Sequence, residues 1–457
     1  MTRIVVLPLW LFLLILLFAA VTAASHLLFP SVRWFLRRRM ERAVSKLNQR
    51  LARPIEPFKL LRRTDAIKRL IYDPEVTKAI VEHARDTGER EDVAFQRATR
   101  YAHEIIPSFS AFAYFSIGIR AARWLSNAIY NVRVGQFDEA TFHSIDREST
   151  IVYVINHRSN MDYVLVTYLA AQQSTLSYAV GEWARIWPLS WLIKSMGAYF
   201  VRRRSRNALY RKVMARYVQM ATQAGVTQAI FPEGGLSLTG APAQPKLGLL
   251  SYISGAYDPD GRDVVFVPVA LNYDRVLEDT ILVAANRSGE RRFRAKLWEI
   301  GGFILRQVWR KLRGRLKPFG NAVVNFGKPL SMRDYLTQEG AQNTDELAEI
   351  LMERIARAVP ILPIPAISTC LLAHPHSRDE LISAISTMLK VEHDADIGLS
   401  SENLHEEVDL ALEQLLGRKL IDLQGNQFTP TPDSIDILRF YANSIAHLVP
   451  ADAAAAQ

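Results

Sequence analysis

The sequence predicts an α/β core flanked by N- and C-terminal helical regions and preceded by one N-terminal transmembrane helix. Three observations predict it. Short continuous runs rich in Val, Ile and Phe recur through residues 136–335 and alternate with helical stretches, the pattern of strands buried on both faces. On either side of that stretch, apolar residues recur at three-to-four spacing, as in helices packed on a core. From Ile4 to Val32 there is no Asp, Glu, Lys or Arg, and about twenty apolar residues suffice to span a bilayer. The boundaries that follow are an anchor at 1–32, an N-terminal helical region at 33–135, an α/β domain at 136–335 and a C-terminal helical region at 336–457. A chain of 457 residues is too long for one compact core.

The anchor comes first, as PLWLFLLILLFAAVTAA. Val21-Thr22-Ala23 would serve as a signal-peptidase site, but the apolar stretch is long for a signal and a basic flank follows at once. Arg33, Arg37, Arg38, Arg39, Arg42, Lys46 and Arg50 stand against only Glu41. Such a flank stays cytoplasmic, so the expectation is an uncleaved anchor with the body of the chain in the cytoplasm. The single Cys370 excludes an internal disulfide framework and agrees with that compartment. It reads as a small buried apolar residue.

The helical region at 33–135 includes ARWLSNAIYNV, and AFAYFSIGI (111–119) is apolar but too short to span a membrane as a helix. The strand candidates are 151–156, 175–180, 197–201, 227–231, 264–270 and 322–326. After residue 336 the pattern is helical again, with Thr344 as the cap of QNTDELAEILMERIARAV, then DELISAISTMLKV and HEEVDLALEQLLGRKL. His447 lies on an apolar pattern and reads as a satisfied structural histidine.

The net charge is +10 and the pI about 9.6. Basic excess suits nucleic acid, an anionic membrane or an anionic substrate. No RNA- or DNA-binding signature is present, so no nucleic-acid partner is expected. A basic cluster runs from Arg287 to Lys317, interleaved with Phe293, Trp298, Phe303 and Trp309. It fits a helix lying on anionic lipid and fits a solvated helix face equally well.

IVYVINHRSNMDYVLV (151–166) carries the chemistry. A strand-like run ends in a polar knot with His157, and a helical pattern begins near Met161. Asn160 suits the N-cap, and Asp162 then lies in the first turn, where it can reach back to the imidazole. A carboxylate on one ring nitrogen fixes the tautomer and leaves the other to take a proton. His374 and Asp379 repeat the spacing, but there Ser377 and Glu380 read as a capping box opening a helix, and no strand precedes.

Three further blocks follow His157 in order. GAYFVRRRSR (197–206) ends in Arg202, Arg203 and Arg204; TQAIFPEGGLSLTG (227–240) contains Glu233-Gly234-Gly235; VVFVPVALNYDRV (264–276) is interrupted by Pro268. The four blocks resemble the glycerolipid acyltransferase family, and within it the bacterial glycerol-3-phosphate acyltransferases of the PlsB type. The resemblance covers most of residues 95–450, including RATRYAHEIIPSFS, VNFGKPLSMRDYL and RFYANSIAHLV. It implies a glycerolipid-acyltransferase-like α/β core in a protein of the inner membrane. It implies transfer of an acyl group from acyl-coenzyme A or acyl carrier protein to the hydroxyl of glycerol 3-phosphate, giving lysophosphatidate. Partners are then those substrates and membrane lipids. No metal or cofactor is expected, and no serine or cysteine acyl-enzyme is implied, because for acyl transfer the thioester is already activated and Cys-rich metal spacings are absent.

By the same resemblance His157 is the base and Asp162 its orienter. Arg202 and Arg203 match the basic pair of the second block, and Arg suits phosphate through its planar fork. Arg158 is placed either for phosphate or carrier or for a salt bridge. Glu233 and Gly234 match the third block, where Gly234 or Gly235 allows a backbone N–H to approach the oxyanion. Pro268 is expected to shape a strand end beside the acyl pocket. The family's third block continues EGGRSRTG, whereas this chain has Leu236 and Leu238 at both arginine positions. Lys246, in a matching Pro-Lys-x-Gly context, is the expected compensation. The leucines otherwise favour an acceptor with an apolar tail, such as lysophosphatidate, and a weakly active lipid-binding regulator on the same fold is the third reading.

Overall fold

A computed structural model describes residues 8–17, 38–39, 42, 44–49, 51–135, 137–170, 175–181, 189–202, 205, 207–289, 319–338, 343–391 and 403–449. The basic and aromatic cluster beyond Gly289, together with Arg203, Arg204 and Arg206, lies outside the described residues. The chain divides into two compact units, Met1–Ile55 and Glu56–Gln457. In the first, residues 9–17 are helical, with Leu9, Trp10 and Leu17 exposed. The rest of the expected membrane span, 1–7 and 18–32, lies outside the described residues. Among the described residues no helix is long and apolar enough to cross a membrane.

After the short helix Pro57–Leu60, the second unit continues with the helices Arg63–Ile71, Pro74–Thr87 and Glu91–Ile105. The middle one shows why the chain turns where it does. Asp73 caps it by accepting from the Glu75 N–H, Pro74 starts it with a preset φ, and Gly88 ends it at φ +68°. Val76, Ile80 and Ala84, four residues apart, form its buried stripe.

The sheet contains β1 (Asn131–Val134), β2 (Thr150–Ile155), β3 (Ser177–Gly181), β4 (Tyr199–Val201), β5 (Gln228–Ile230), β6 (Val264–Tyr273), β7 (Asn321–Phe326) and β8 (Leu330–Ser331). Their order is β1-β7-β6-β2-β5-β3-β4, with β8 also on β6. Pairing is parallel except where β6 meets β7 and β8. Every residue of β2 and of β6 is buried. That is why these strands read as continuous apolar runs rather than alternating ones.

The observed strands fall on all six candidate runs. Four features differ from the expected organisation. β1 lies in the stretch expected to be helical and pairs in parallel with β7, Asn131 opposite Asn321. Four residues pairing at a sheet edge carry too short a pattern to be separated from the helix Ile119–Ile129 before them. The C-terminal region contains a hairpin, β9 (Ile421–Gln424) and β10 (Gln427–Pro430). Residue 336 falls inside the helix Met332–Thr337. The cap of the helix Thr344–Arg357 is Asn343, whose side chain accepts from Asp345 N–H, so Thr344 is its first helical residue.

Ser377 and Glu380 do form the reciprocal capping box, each side chain accepting the other's N–H. His374 stacks on His376 at 3.9 Å and bonds the Pro375 carbonyl. That disposes of the second His-x-x-x-x-Asp. Cys370 is buried, and burial pushes its thiol up to about 12.

Candidate active site

β2 and β5 are parallel neighbours, Val154 opposite Ile230. The chain leaving Ile155 and the chain leaving Ile230 therefore emerge side by side at the carboxyl edge of the sheet. This is the general position of ligand sites in open α/β sheets. The first loop carries His157 and the second carries Glu233.

His157 Nδ1 lies 2.9 Å from Asp162 Oδ2. The same oxygen accepts the backbone N–H of Arg158 at 2.7 Å and of Ser159 at 3.0 Å. The Tyr273 hydroxyl donates to Asp162 Oδ1 at 2.5 Å. Asp162 has no exposed surface and His157 is 2% exposed, so this carboxylate is stabilised in burial by four donors. The pairing places the proton on Nδ1 and leaves the Nε2 lone pair as the basic position. Phe231 and Tyr163 flank the imidazole at 4.4 and 5.3 Å. The helix Met161–Ala170 starts one residue before Asp162. Asn160 occupies the cap position, but its side-chain amide donates to Glu278, and the Met161 N–H bonds the Ser159 hydroxyl.

Glu233 joins the two loops. Its Oε1 accepts the His157 N–H at 2.9 Å, and its Oε2 accepts the Ala243 N–H at 3.2 Å. Burial raises its carboxyl above the usual range, and those N–H groups oppose the rise. In return the His157 carbonyl accepts the Ser237 N–H at 3.0 Å. Gly234 turns at φ +64° with the Lys246 side chain lying across it; a Cβ there would stand 2.6 Å from Lys246 Cδ. Only glycine fits that turn without displacing the lysine.

A family model described as Acyltransferase matches residues 139–272, and one described as Glycerol-3-phosphate acyltransferase C-terminal region matches residues 305–457. Two stretches of the chain thus match acyltransferase models, one after the other along the sequence. The chain is 29% identical over 419 residues to a glycerol-3-phosphate acyltransferase of Aeromonas hydrophila, covering 85% of this chain and 50% of that protein. It is 28% identical over 427 residues to one of Shewanella frigidimarina, covering 86% and 50%. The chain thus spans about half the length of the curated relatives it matches. The crystal structure of the 1-acyl-sn-glycerophosphate (LPA) acyltransferase PlsC from Thermotoga maritima aligns with 18% identity and a TM-score of 0.33, covering 53% of this chain and 75% of that one.

Of the second-block arginines, Arg202 is placed apart from the core of the site. The Arg202 fork is occupied by Glu104, Nε to Oε1 at 2.8 Å and Nη2 to Oε2 at 2.7 Å, between the rings of Tyr101 and Tyr210. Arg203 lies outside the described residues. Arg158 is buried, 4% exposed. It donates from Nη1 to the Gly240 carbonyl and stands 5.1 Å over the Phe440 ring. Its Nε and Nη2 have no hydrogen-bond partner among the described residues, and burial lowers its pKa. No carboxylate pairs with it in a salt bridge among the described residues.

Pro268 stands inside β6 rather than at a strand end, opposite Val154 of β2. The other edge of β6 changes partner there, from β8 at Val265–Phe266 to β7 from Val269. The Pro268 carbonyl accepts the Gly327 N–H at 2.9 Å across that bend. A strand residue's N–H and C=O face the same side, so the missing donor falls where no ladder partner needs it.

Leu236 and Leu238 are partly buried and pack against the hydrophobic core. His447 Nε2 lies 2.9 Å from the Ala356 carbonyl, in keeping with a structural histidine. Two residues of the site carry no marker in the sequence: Tyr273 on Asp162, and Glu278, which binds Ser159 and Asn160. Tyr273 lies within the fourth block and Glu278 two residues after it, in NYDRVLED. Their partners are more than a hundred residues earlier, so no local spacing reveals them.

Proposed function

We propose that this protein transfers a fatty acyl group from acyl-coenzyme A or acyl carrier protein to a hydroxyl of glycerol 3-phosphate, giving lysophosphatidate. The observation that carries the reading is the His157 Nδ1–Asp162 Oδ2 contact of 2.9 Å at the carboxyl end of β2. A base so oriented removes the hydroxyl proton at Nε2 as the oxygen attacks the thioester carbonyl. The C–O bond forms, the C–S bond breaks, and the proton passes to the leaving thiolate. Ser159 is tied to Glu278 and to Met161 N–H, which suits a loop-forming residue rather than a nucleophile.

Arg158 supports an anionic acceptor. Buried donors without partners cost about 1–3 kcal/mol each, and a phosphate oxygen near Nε and Nη2 would offset that cost. Lys246 over Gly234 adds positive charge beside the third block, and the Gly234–Gly235 turn suits the oxyanion. Arg202, on this reading, meets a phosphate only by leaving Glu104, and Arg203 is the other residue of that pair. The alternative acceptor, lysophosphatidate, draws on Leu236 and Leu238, but both already place apolar surface on the core. The apolar run at 4–32 with its basic flank supports a single anchor in the inner membrane and a cytoplasmic body.

The test uses membranes carrying the full-length protein, palmitoyl-coenzyme A and glycerol 3-phosphate, with product identified by mass spectrometry beside His157→Ala. Lysophosphatidate from the wild type and none from the variant is the expected result. Product only when lysophosphatidate replaces glycerol 3-phosphate would move the assignment to the second acceptor. Equal product from both proteins would remove His157 as the base.

A further inference from the structure

The loop between His157 and Asp162 is held at more points than its own carboxylate provides. Asp162 binds the N–H groups of Arg158 and Ser159 near its start. The middle of the loop is held by Glu278, from the turn after β6. One Glu278 oxygen accepts the Ser159 hydroxyl at 2.8 Å; the other accepts the Asn160 amide at 3.0 Å and the Asn160 N–H at 3.3 Å. Three donors from two consecutive residues fix both the position and the twist of that segment.

The turn bearing Glu278 is itself braced from the C-terminal region. The Tyr441 hydroxyl accepts the Val276 N–H at 3.1 Å and donates to Asp279 Oδ2 at 2.6 Å. Arg418 Nη2 binds the same Asp279 oxygen at 2.5 Å. Residues on both sides of Glu278 are therefore tied to side chains more than a hundred positions further along the chain.

We propose that Glu278 is a positioning residue for acyl transfer: it clamps the Ser159–Asn160 segment so that the imidazole of His157 keeps its reactive orientation, and Tyr441 braces the clamp. The proposal rests on the reading of His157 as the base. Glu278 bonds neither His157 nor Asp162, so its effect on the reaction passes through the loop and through its charge. A misplacement of about 1 Å at a reacting group lowers rate by about a hundredfold. The ionisable groups around Glu278 are Asp162, Tyr130 and Tyr273, and those around His157 are Asp162, Glu233 and Arg158. Burial raises the Glu278 carboxyl.

The experiment compares the full-length wild type, Glu278→Ala, Glu278→Gln and Tyr441→Phe in membranes. Three quantities are read: kcat and KM for both substrates, thermal midpoint, and the imidazole nitrogen chemical shifts of His157 by NMR. Glu278→Ala is expected to lower kcat about a hundredfold with both KM values within twofold. Glu278→Gln keeps an acceptor of the same shape and should lose only about tenfold. In both variants the imidazole nitrogen resonances of His157 shift, because the loop no longer fixes the ring orientation. Tyr441→Phe should lose less than Glu278→Ala in the same direction. Wild-type kcat in folded Glu278→Ala, or a loss of kcat that follows thermal midpoint alone with the His157 resonances unchanged, overturns the proposal. If the wild type transfers nothing, the acyl-transfer reading has failed, and the resonances decide the clamp by themselves: unchanged His157 resonances in Glu278→Ala remove it.

Discussion

The Tyr273 hydroxyl donates to Asp162 Oδ1 at 2.5 Å, on the carboxylate oxygen opposite the one that faces His157. Burial first, and the Asp162 charge second, raise the phenol far above its usual range, so it stays a donor. It fixes the carboxylate opposite His157. In Tyr273→Phe that donor is gone, the carboxylate is held less firmly, and kcat should fall about tenfold. The buried Oδ1 loses its partner, at a cost of about 1–3 kcal/mol in folding stability. Steady-state kinetics beside a urea unfolding curve check both; wild-type kcat in the variant would separate Tyr273 from the His157–Asp162 pair.

Among the described residues, Arg158 has two buried donors without partners, and it is next in sequence to His157. Charge-assisted hydrogen bonds are worth about 1.5–3 kcal/mol. Arg158→Ala should therefore raise KM for glycerol 3-phosphate by about 10- to 100-fold, while KM for the acyl donor stays within a few-fold. Arg158→Lys keeps charge but loses the fork and should fall between. Steady-state kinetics with each substrate varied in turn decides this, and equal rises in both KM values would mean a packing role against Phe440.

Gly240 meets the C-terminal region directly. At φ +87° its Cβ would stand 1.8 Å from the Phe440 carbonyl oxygen. Gly240→Ala combines left-handed strain of about 1–2 kcal/mol with that overlap, and should destabilise the fold by about 2 kcal/mol or more. Gly248, at the start of the helix Gly248–Ser254, has nothing within 4 Å of a built Cβ. Gly248→Ala should stabilise by up to about 1 kcal/mol. Chemical denaturation of the two variants gives opposite signs if the Gly240–Phe440 contact is intact in solution.

Asp274 couples folding to pH. It is fully enclosed, accepts from the Asn321 N–H and amide and from the Ile364 N–H, and burial raises its carboxyl from 3.8 to about 6. Folding thus favours the protonated form by about 3 kcal/mol. This contribution is fully present below the unfolded value of 3.8 and disappears as pH rises through about 6. Unfolding free energies taken between those limits should fall with rising pH in the wild type and change less in Asp274→Asn. Parallel curves would show that Asp274 does not titrate in this range.

Much of this protein was legible without coordinates, because the signals are local. The buried runs of β2 and β6, the Ser377–Glu380 capping box and the five-residue separation of His157 and Asp162 are all set by neighbours within a turn or a strand. Strand β1 was not legible, because what makes Asn131–Val134 a strand is its pairing with β7. Nor was the occupation of the Arg202 fork by Glu104, or the hold of Tyr273 and Glu278 on the His157 loop. The sequence by itself determined the buried strands of the sheet centre and the facing of His157 by Asp162, since local backbone geometry fixes those distances. Only the tertiary structure decided which distant carboxylates, phenols and ring faces close around that pair. Those contacts are made by folding segments a hundred or more residues apart onto one sheet edge, and no short-range period encodes them.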